Sequence, residues 1–358
     1  MDWVLEGPYW FSSVKEINDE NRQVVRKRRH SGQPVSILEF TESEIGHFLN
    51  QAHDTIIGEG QSARVWVGLI PDGFRHGLSA QHAAVKEYNY TSHDTFDLWE
   101  IERVHLMKLA HPNIIKLIGY CHHKPHNGQE KKVLVLEHMP GGNLNERLFH
   151  IDKWNNESVE WDKRVRILHD AAKAIKYLHG MNLIYRDLKA ENILLDSDMN
   201  AKLVDFGAMI DGPRPPNAYI ETPQPIGTMG YTDPSYIETG RANMGIDIYS
   251  FGVLILVVIL GRRAVTTKKK TELSVKINEK YKDRPLDLLR SKKLRRDSYR
   301  RKELQSLLDL ARRCLEEASK RPTCDGILRE FENIQAAKTW PPSGFDMTLD
   351  SLSKGFPD

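Results

Sequence analysis

Cysteine is scarce in this chain. Three in 358 residues, Cys121, Cys314 and Cys324, are too few for a disulfide-dense scaffold, and the C-x9-C spacing of the last two fits no common zinc pattern. A reducing compartment is the simpler reading. A surplus of charge of one sign is also missing: 51 Lys and Arg stand against 49 Asp and Glu. That balance gives no global reason to expect nucleic acid or an anionic membrane as the main partner, so any phosphate recognition must be local. The opening MDWVLEGPYW lacks the charged-then-apolar order of a secretory signal and has Asp2 where N-myristoylation requires glycine. The longest apolar run, residues 251–260, is about half of the roughly 20 residues a transmembrane segment needs, and reads as a buried helix.

What is present is the composition of a globular protein, 40% hydrophobic and 28% charged, long enough for one large domain or two modest ones sharing a cleft. Residues 1–50 show a basic cluster, RKRRH, and no strong apolar period, and are expected to form a loosely packed N-terminal extension. In TIIGEGQSARVWVGLI apolar positions alternate around glycines, which predicts two strands and a tight turn; HAAVKEY and KKVLVLEHM predict further strands. FDLWEIERVHLMKLA carries Leu98, Ile101, Val104 and Leu109 at helical spacing and ends before Pro112. Beyond Asn143 the patterns are helical, as in WDKRVRILHDAAKAIKYLHG, with Val165, Leu168, Ala172, Ile175 and Leu178 on one side and Gly180 as the expected C-cap. The fold class is therefore α+β, with strands concentrated in the first third. Residues 211–236, with five prolines before Asp233 and no period, read as a long functional loop. TKKK and RSKKLRRDSYRRK read as solvated basic runs, and residues 336–358 as a flexible C-terminal tail.

The chemistry lies in charged groups set among apolar neighbours. NLIYRDLKAENILLD carries Arg186, Asp187, Lys189 and Glu191, charges that would be costly to bury unpaired. Upstream, IGEGQSARV places Ile57, Gly58 and Gly60 in a strand-turn-strand where absent side chains let backbone N–H groups approach phosphate oxygens. Lys86 follows on a strand and Glu102 on a helix. Downstream, Asp187 and Asn192 lie five residues apart on one loop, and KLVDFG offers Asp205 before Phe206 and Gly207.

Gly-rich turn, strand Lys, helix Glu, Arg-Asp-x4-Asn and Asp-Phe-Gly, in that order, resemble the protein kinase family. The resemblance implies a bilobal protein kinase fold over residues 51–335: a small antiparallel β-sheet lobe with one main helix to about residue 138, then a larger, mainly helical lobe from 139. It also implies ATP and Mg2+ as cofactors. Lys86 would hold the α- and β-phosphates with Glu102 fixing its direction, Asn192 and Asp205 would bind Mg2+, and Asp187 would accept the proton of a substrate hydroxyl. Lys189 matches the residue that serine/threonine kinases place near the γ-phosphate, and Thr228 the threonine packed against that pair. Adenine would lie between Val65 and Ala84 above and Leu195 below, with Leu136 as gatekeeper and backbone groups of Glu137 and Met139 on the base edge. Asp247 matches the acid that ties the catalytic loop to a central helix; its residue type and position alone also suit a helix N-cap.

HPNIIKLIGYC, GGNLNERLF, IYRDLKAENILLD and DIYSFGVLIL further resemble plant receptor-like cytoplasmic kinases. That branch implies protein substrates, an upstream receptor kinase or receptor complex, no nucleic acid, and a cytoplasmic location with recruitment to the plasma membrane through partners, in signalling for immunity or growth. Arg186 would seek a negative group on the activation loop, supplied by phosphorylated Thr222 or Thr228, or in part by the carboxylate of Glu221. Three departures stand out. Ala63 replaces the third glycine of the phosphate loop, with Ser62 at its tip. Ser235 replaces a glutamate that pairs Arg321, a loss of roughly 3 to 5 kcal/mol if that cation stays buried alone, with Asp233, Glu238 or solvent able to offset it. AMID follows Asp-Phe-Gly, and Val257 occupies a site commonly glutamate. Two function classes follow: an active serine/threonine kinase, and a weakly active kinase fold, or pseudokinase, serving as a scaffold in a receptor complex.

Overall fold

The computed structural model describes residues 37–51, 55–60, 62–75, 77–89, 93–125, 130–154, 157–214, 218–266, 271–272 and 301–339. The basic cluster RKRRH, the run TKKK, nearly all of RSKKLRRDSYRRK and the chain from 340 onward lie outside them.

The first lobe is a six-stranded sheet. Its members are β1 (Leu38–Glu39), β2 (Ile56–Glu59), β3 (Ala63–Ile70), β4 (Gln81–Tyr88), β5 (Leu117–His123) and β6 (Lys131–Glu137), in the order β1-β5-β6-β4-β3-β2. β1 lies parallel to β5 and the other pairings are antiparallel. The register sets Val65 opposite Lys86 and Ala84 opposite Leu136. Because strand side chains alternate between faces, Lys86 and Tyr88 share one face, the one that α2 (His93–Leu106) covers. That helix ends at Leu106, short of the Ala110 end its apolar period suggested.

Residues 37–51 are not a loose extension. β1 pairs with β5, and α1 (Glu42–Gln51) lays Ile45 and Phe48 against Ile70, Val85, Val133 and Val135 on the opposite face of the sheet. The start of α1 is a reciprocal capping box: the Thr41 N–H donates to Glu44 Oε2 at 2.7 Å and the Glu44 N–H to Thr41 Oγ1 at 3.3 Å. Glu44 also accepts from Arg75 Nε at 3.0 Å, anchoring the helix to the loop before β4. The domain boundary expected near residue 51 thus runs through packed structure.

The second lobe is built on α3 (Leu144–Phe149), α4 (Trp161–Gly180), α5 (Pro234–Thr239), α6 (Gly245–Leu260), α7 (Arg301–Cys314) and α8 (Cys324–Thr339). From Ile246 to Leu260 every residue of α6 is buried, as its unbroken apolar run demands of a helix in the middle of a lobe. Gly180 is the last residue of α4 rather than its cap; Met181 caps it, and Asn182 takes the left-handed conformation at φ 58°. Its carboxamide donates to Gly212 O at 3.0 Å, so a tertiary contact chose the residue that turns the chain. Short pairs β7 (Leu183–Ile184) with β10 (Ile210–Asp211), and β8 (Ile193–Leu195) with β9 (Ala201–Leu203), frame the loops at the lobe junction.

Candidate active site

The loop from Tyr185 to Asn192 is held from below by Asp247 in the first turn of α6. This buried carboxylate accepts from the Tyr185 N–H at 2.9 Å, the Arg186 N–H at 2.8 Å and His179 Nε2 at 2.9 Å. Three donors compensate the burial of one charge. Met244 is the cap residue of α6, so Asp247 is not the N-cap its residue type allowed. Its hold matters because Arg186 sits at φ 71°, a conformation non-glycine residues adopt only under constraint. Burial alone would push the His179 imidazole down, but the bonds to Asp247 and to Cys324 Sγ, 3.3 Å from Nδ1, more than reverse this and hold its pKa at about 10.

The sign of that shift gives a measurable consequence. A histidine whose folded pKa lies above its unfolded value of 6.5 stabilises the fold fully below pH 6.5 and loses that contribution as pH rises through 10. Between pH 7 and 10 the Tm is expected to fall more steeply for this protein than for His179→Gln; parallel slopes would contradict the assignment.

Asp187 is the point of convergence. Its Oδ2 accepts from Lys189 Nζ at 2.7 Å and from Asn192 Nδ2 at 3.0 Å, while Oδ1 accepts from Thr228 Oγ1 at 2.6 Å. Lys189 Nζ also donates to Thr228 Oγ1 at 2.9 Å, and Asn192 Nδ2 to the backbone oxygen of Asp187 at 2.9 Å. Both carboxylate oxygens are therefore fixed, one by its own loop and the other by the distant Thr228. Across the cleft Lys86 Nζ lies 2.6 Å from Glu102 Oε2 and 3.4 Å from Asp205 Oδ1. Burial works against the Lys86 ammonium, but the Asp205 and Glu102 carboxylates overcome it and hold its pKa well above the usual value. Lys86 in turn keeps the Asp205 carboxyl below its ordinary range, whereas burial leaves Glu102 above its own. Asp205 sits at φ 63° with 48% of its side chain exposed.

Of the residues expected around adenine, Ala84 and Leu136 are buried side by side on β4 and β6, Leu195 is buried on β8, and Val65 packs against the same core. The Glu137 side chain turns away to Lys202 Nζ at 2.6 Å and the Lys116 N–H at 2.7 Å, and Met139 is buried. Ile57 is exposed on β2; a Cβ added at Gly58 would meet only Val65 at 3.6 Å, and one at Gly60 only Ala63 O at 3.8 Å. The Gly60 N–H closes the turn onto Ala63 O at 2.9 Å, with Ala63 buried in the sheet.

Two features of the sequence resolve differently. The cation left by Ser235 is not orphaned: Arg321 Nη1 donates to Asp233 Oδ2 at 2.5 Å and to Gly245 O at 2.9 Å, with both charged side chains at least 95% buried. Ser235 assists, its Oγ donating to Asp233 Oδ1 at 2.8 Å, while Glu238 is exposed. Conversely, Glu221 does not serve Arg186. It is 75% exposed and pairs at 3.9 Å with Arg241, because β11 (Ile220–Glu221) is registered against β12 (Arg241–Ala242). Arg186 instead donates to Ala208 O at 2.5 Å and to the Tyr236 hydroxyl at 3.4 Å. Thr222 reaches that hydroxyl with its Oγ1 at 3.2 Å. Sequence reasoning also passed over Tyr88, whose spacing of two from Lys86 was the available signal.

Residues 52–331 match the family model described as "Protein kinase domain". The chain is 35% identical over 338 residues to the "Serine/threonine-protein kinase BIK1" of Arabidopsis thaliana, covering 91% of this chain and 82% of that protein. It is 34% identical over 333 residues to the "Probable serine/threonine-protein kinase PBL12" of the same plant, covering 90% and 76%. Over a shorter stretch of 211 residues, 58% of this chain and 44% of the relative, it is 43% identical to the "EPD1-interacting receptor-like cytoplasmic serine/threonine-protein kinase 5D" of Gossypium barbadense. On this agreement of sequence, fold and site, the chain belongs to the protein kinase family.

Proposed function

We propose that this protein is a serine/threonine kinase of the receptor-like cytoplasmic type, transferring the γ-phosphoryl group of Mg-ATP to protein hydroxyls in plant receptor-linked signalling. The observation that carries this is Asp187, whose two oxygens are oriented by Lys189, Asn192 and Thr228. A scaffold needs no such constraint on a carboxylate.

The donor set fits magnesium. Asn192 and Asp205 offer hard oxygen atoms of the kind that ion takes. A metal held by two protein ligands and completed by phosphates and water suits Mg2+. When bound, that ion offsets charge on the phosphates. Lys86 binds the α- and β-phosphates, and Glu102 keeps its ammonium aimed at them. Asp187 orients the acceptor hydroxyl and takes its proton on a carboxylate oxygen, and Lys189 brings a positive charge beside the transferred group. Ala84, Val65, Leu136 and Leu195 exclude water from the base, with Glu137 and Met139 on its edge and Ile57, Gly58 and Gly60 closing over the phosphates.

The relatives' names describe serine/threonine-protein kinases, one of them EPD1-interacting and receptor-like cytoplasmic, which supports protein substrates and protein partners; no helix among the described residues is long and apolar enough to cross a membrane. Cytoplasmic placement, with recruitment to the plasma membrane through a receptor complex, is the reading we take from the receptor-like cytoplasmic relative. Thr222, linked to buried Arg186 through Tyr236, is the position where an added phosphate would meet that cation. Phosphosite mapping after incubation of the purified protein with Mg-ATP is expected to show phosphoserine and phosphothreonine, Thr222 included. Phosphotyrosine alone, or no incorporation, would contradict the reading. Glu221→Ala is expected to leave the activity of the unphosphorylated protein unchanged, since its carboxylate faces Arg241.

A further inference from the structure

We propose that Tyr88 is a positioning residue for the phosphate-holding pair: its hydroxyl keeps the Glu102 carboxylate, and with it α2, in place when Lys86 turns to its other partners. This rests on the roles given above to Lys86 and Glu102.

Glu102 Oε2 accepts from both Lys86 Nζ, at 2.6 Å, and the Tyr88 hydroxyl, while Oε1 is buried without a partner. Lys86 is contested. Glu102, Asp205 at 3.4 Å and the incoming phosphates all draw on one ammonium at the end of a flexible four-carbon stem. Tyr88 is not. Its ring is buried, has two side-chain torsions instead of four, and stands on the same face of β4 two residues beyond Lys86. The hydroxyl thus gives the carboxylate a donor that no ligand competes for. The ring also lies 5.0 Å from Lys86 Nζ, so its π-face limits where the ammonium can swing. The other charged groups here are occupied elsewhere: His122 on β5 and Lys132 on β6 both meet Glu130, and Arg103, on α2 itself, pairs with Glu100 and stacks on Trp99 and Tyr120. Tyr88 is therefore the neutral donor that ties β4 to Glu102.

The test is a double-mutant cycle on the full chain with Tyr88→Phe, Glu102→Gln and both together. It is read as kcat/KM for ATP with a generic basic protein substrate and as the Mg-ATP-induced rise in Tm, so that binding closes the cycle even where turnover is small. Tyr88→Phe alone is expected to lower kcat/KM about tenfold and to diminish the Mg-ATP shift, with little change in the Tm of the free protein. In the Glu102→Gln background the same substitution is expected to have less than a twofold effect. Equal effects in both backgrounds, or no effect in the wild-type background, would overturn the proposal. Tyr88→Leu, which removes ring and hydroxyl, should behave like Tyr88→Phe or worse; activity restored by Leu would also overturn it. Lys86→Met serves as the separate control: full activity in that variant would refute the assigned pair itself rather than the role of Tyr88.

Discussion

Replacing Asp187 with Asn is expected to lower phosphoryl transfer by a factor on the order of 10² to 10⁴, the usual contribution of a positioned general base. The geometry explains why so small a change should matter. Asp187 accepts three hydrogen bonds, from Lys189, Asn192 and Thr228, which leaves acceptor capacity on the carboxylate for the hydroxyl proton. An amide at this position presents one acceptor oxygen and an NH2 group that faces donors, so the local network must rearrange and the acceptor for the hydroxyl proton is lost. Fold and nucleotide binding should survive, because Asp247 holds the loop backbone independently of the Asp187 side chain. The check is initial-rate transfer of labelled phosphate, beside a Mg-ATP thermal shift. Equal rates for the two proteins would show that chemistry does not pass through Asp187.

The second large effect concerns stability. Asp233→Ala is expected to destabilise the protein by roughly 3 to 5 kcal/mol, read as a shift in denaturant midpoint at constant slope, because it leaves the Arg321 guanidinium buried without its carboxylate. The two backbone carbonyls that also accept from Arg321, Gly245 O and Glu316 O, hold the side chain inside rather than releasing it to water. An exposed pair offers the contrast: Glu317→Ala removes the partner of Lys320, and since both side chains are largely exposed it should change stability by less than about 1 kcal/mol. If the two substitutions had similar effects, burial of the Arg321 pair would not be what stabilises this junction.

Much of the site was legible because its chemistry demands particular residue types in a fixed order. Lys86, Glu102, Asp187, Asn192 and Asp205 announce themselves as charges or amides within apolar stretches, and the structure joins Lys86 with Glu102 and Asp205, and Asp187 with Asn192. The buried helix at 245–260 was equally plain, since no surface helix tolerates such a run. What escaped notice depends on partners distant in sequence. Of the replacements open for the missing glutamate at 235, namely Asp233, Glu238 or solvent, it is Asp233 that meets Arg321, a choice set only when α5 and α8 pack. Glu221 was expected to supply part of the negative charge for Arg186, but antiparallel register with Arg241 turned it outward. The helix at 42–51 has only Ile45, Phe48 and Leu49 as its apolar stripe; its capping box, Thr41 with Glu44, was the readable clue. Asn182 displaced Gly180 as the left-handed residue because a bond to Gly212 O, thirty residues away, rewards an amide there.

In the proposed function Lys86, Glu102, Asp187, Asn192 and Asp205 converge on one magnesium-loaded triphosphate. Calorimetric titration of ATP, with and without Mg2+, into the wild-type protein and Asp205→Asn tests it most directly. The expected result is that Mg2+ strengthens ATP binding to the wild type and that the substitution removes most of that gain. ATP binding that is indifferent both to Mg2+ and to the substitution would contradict it.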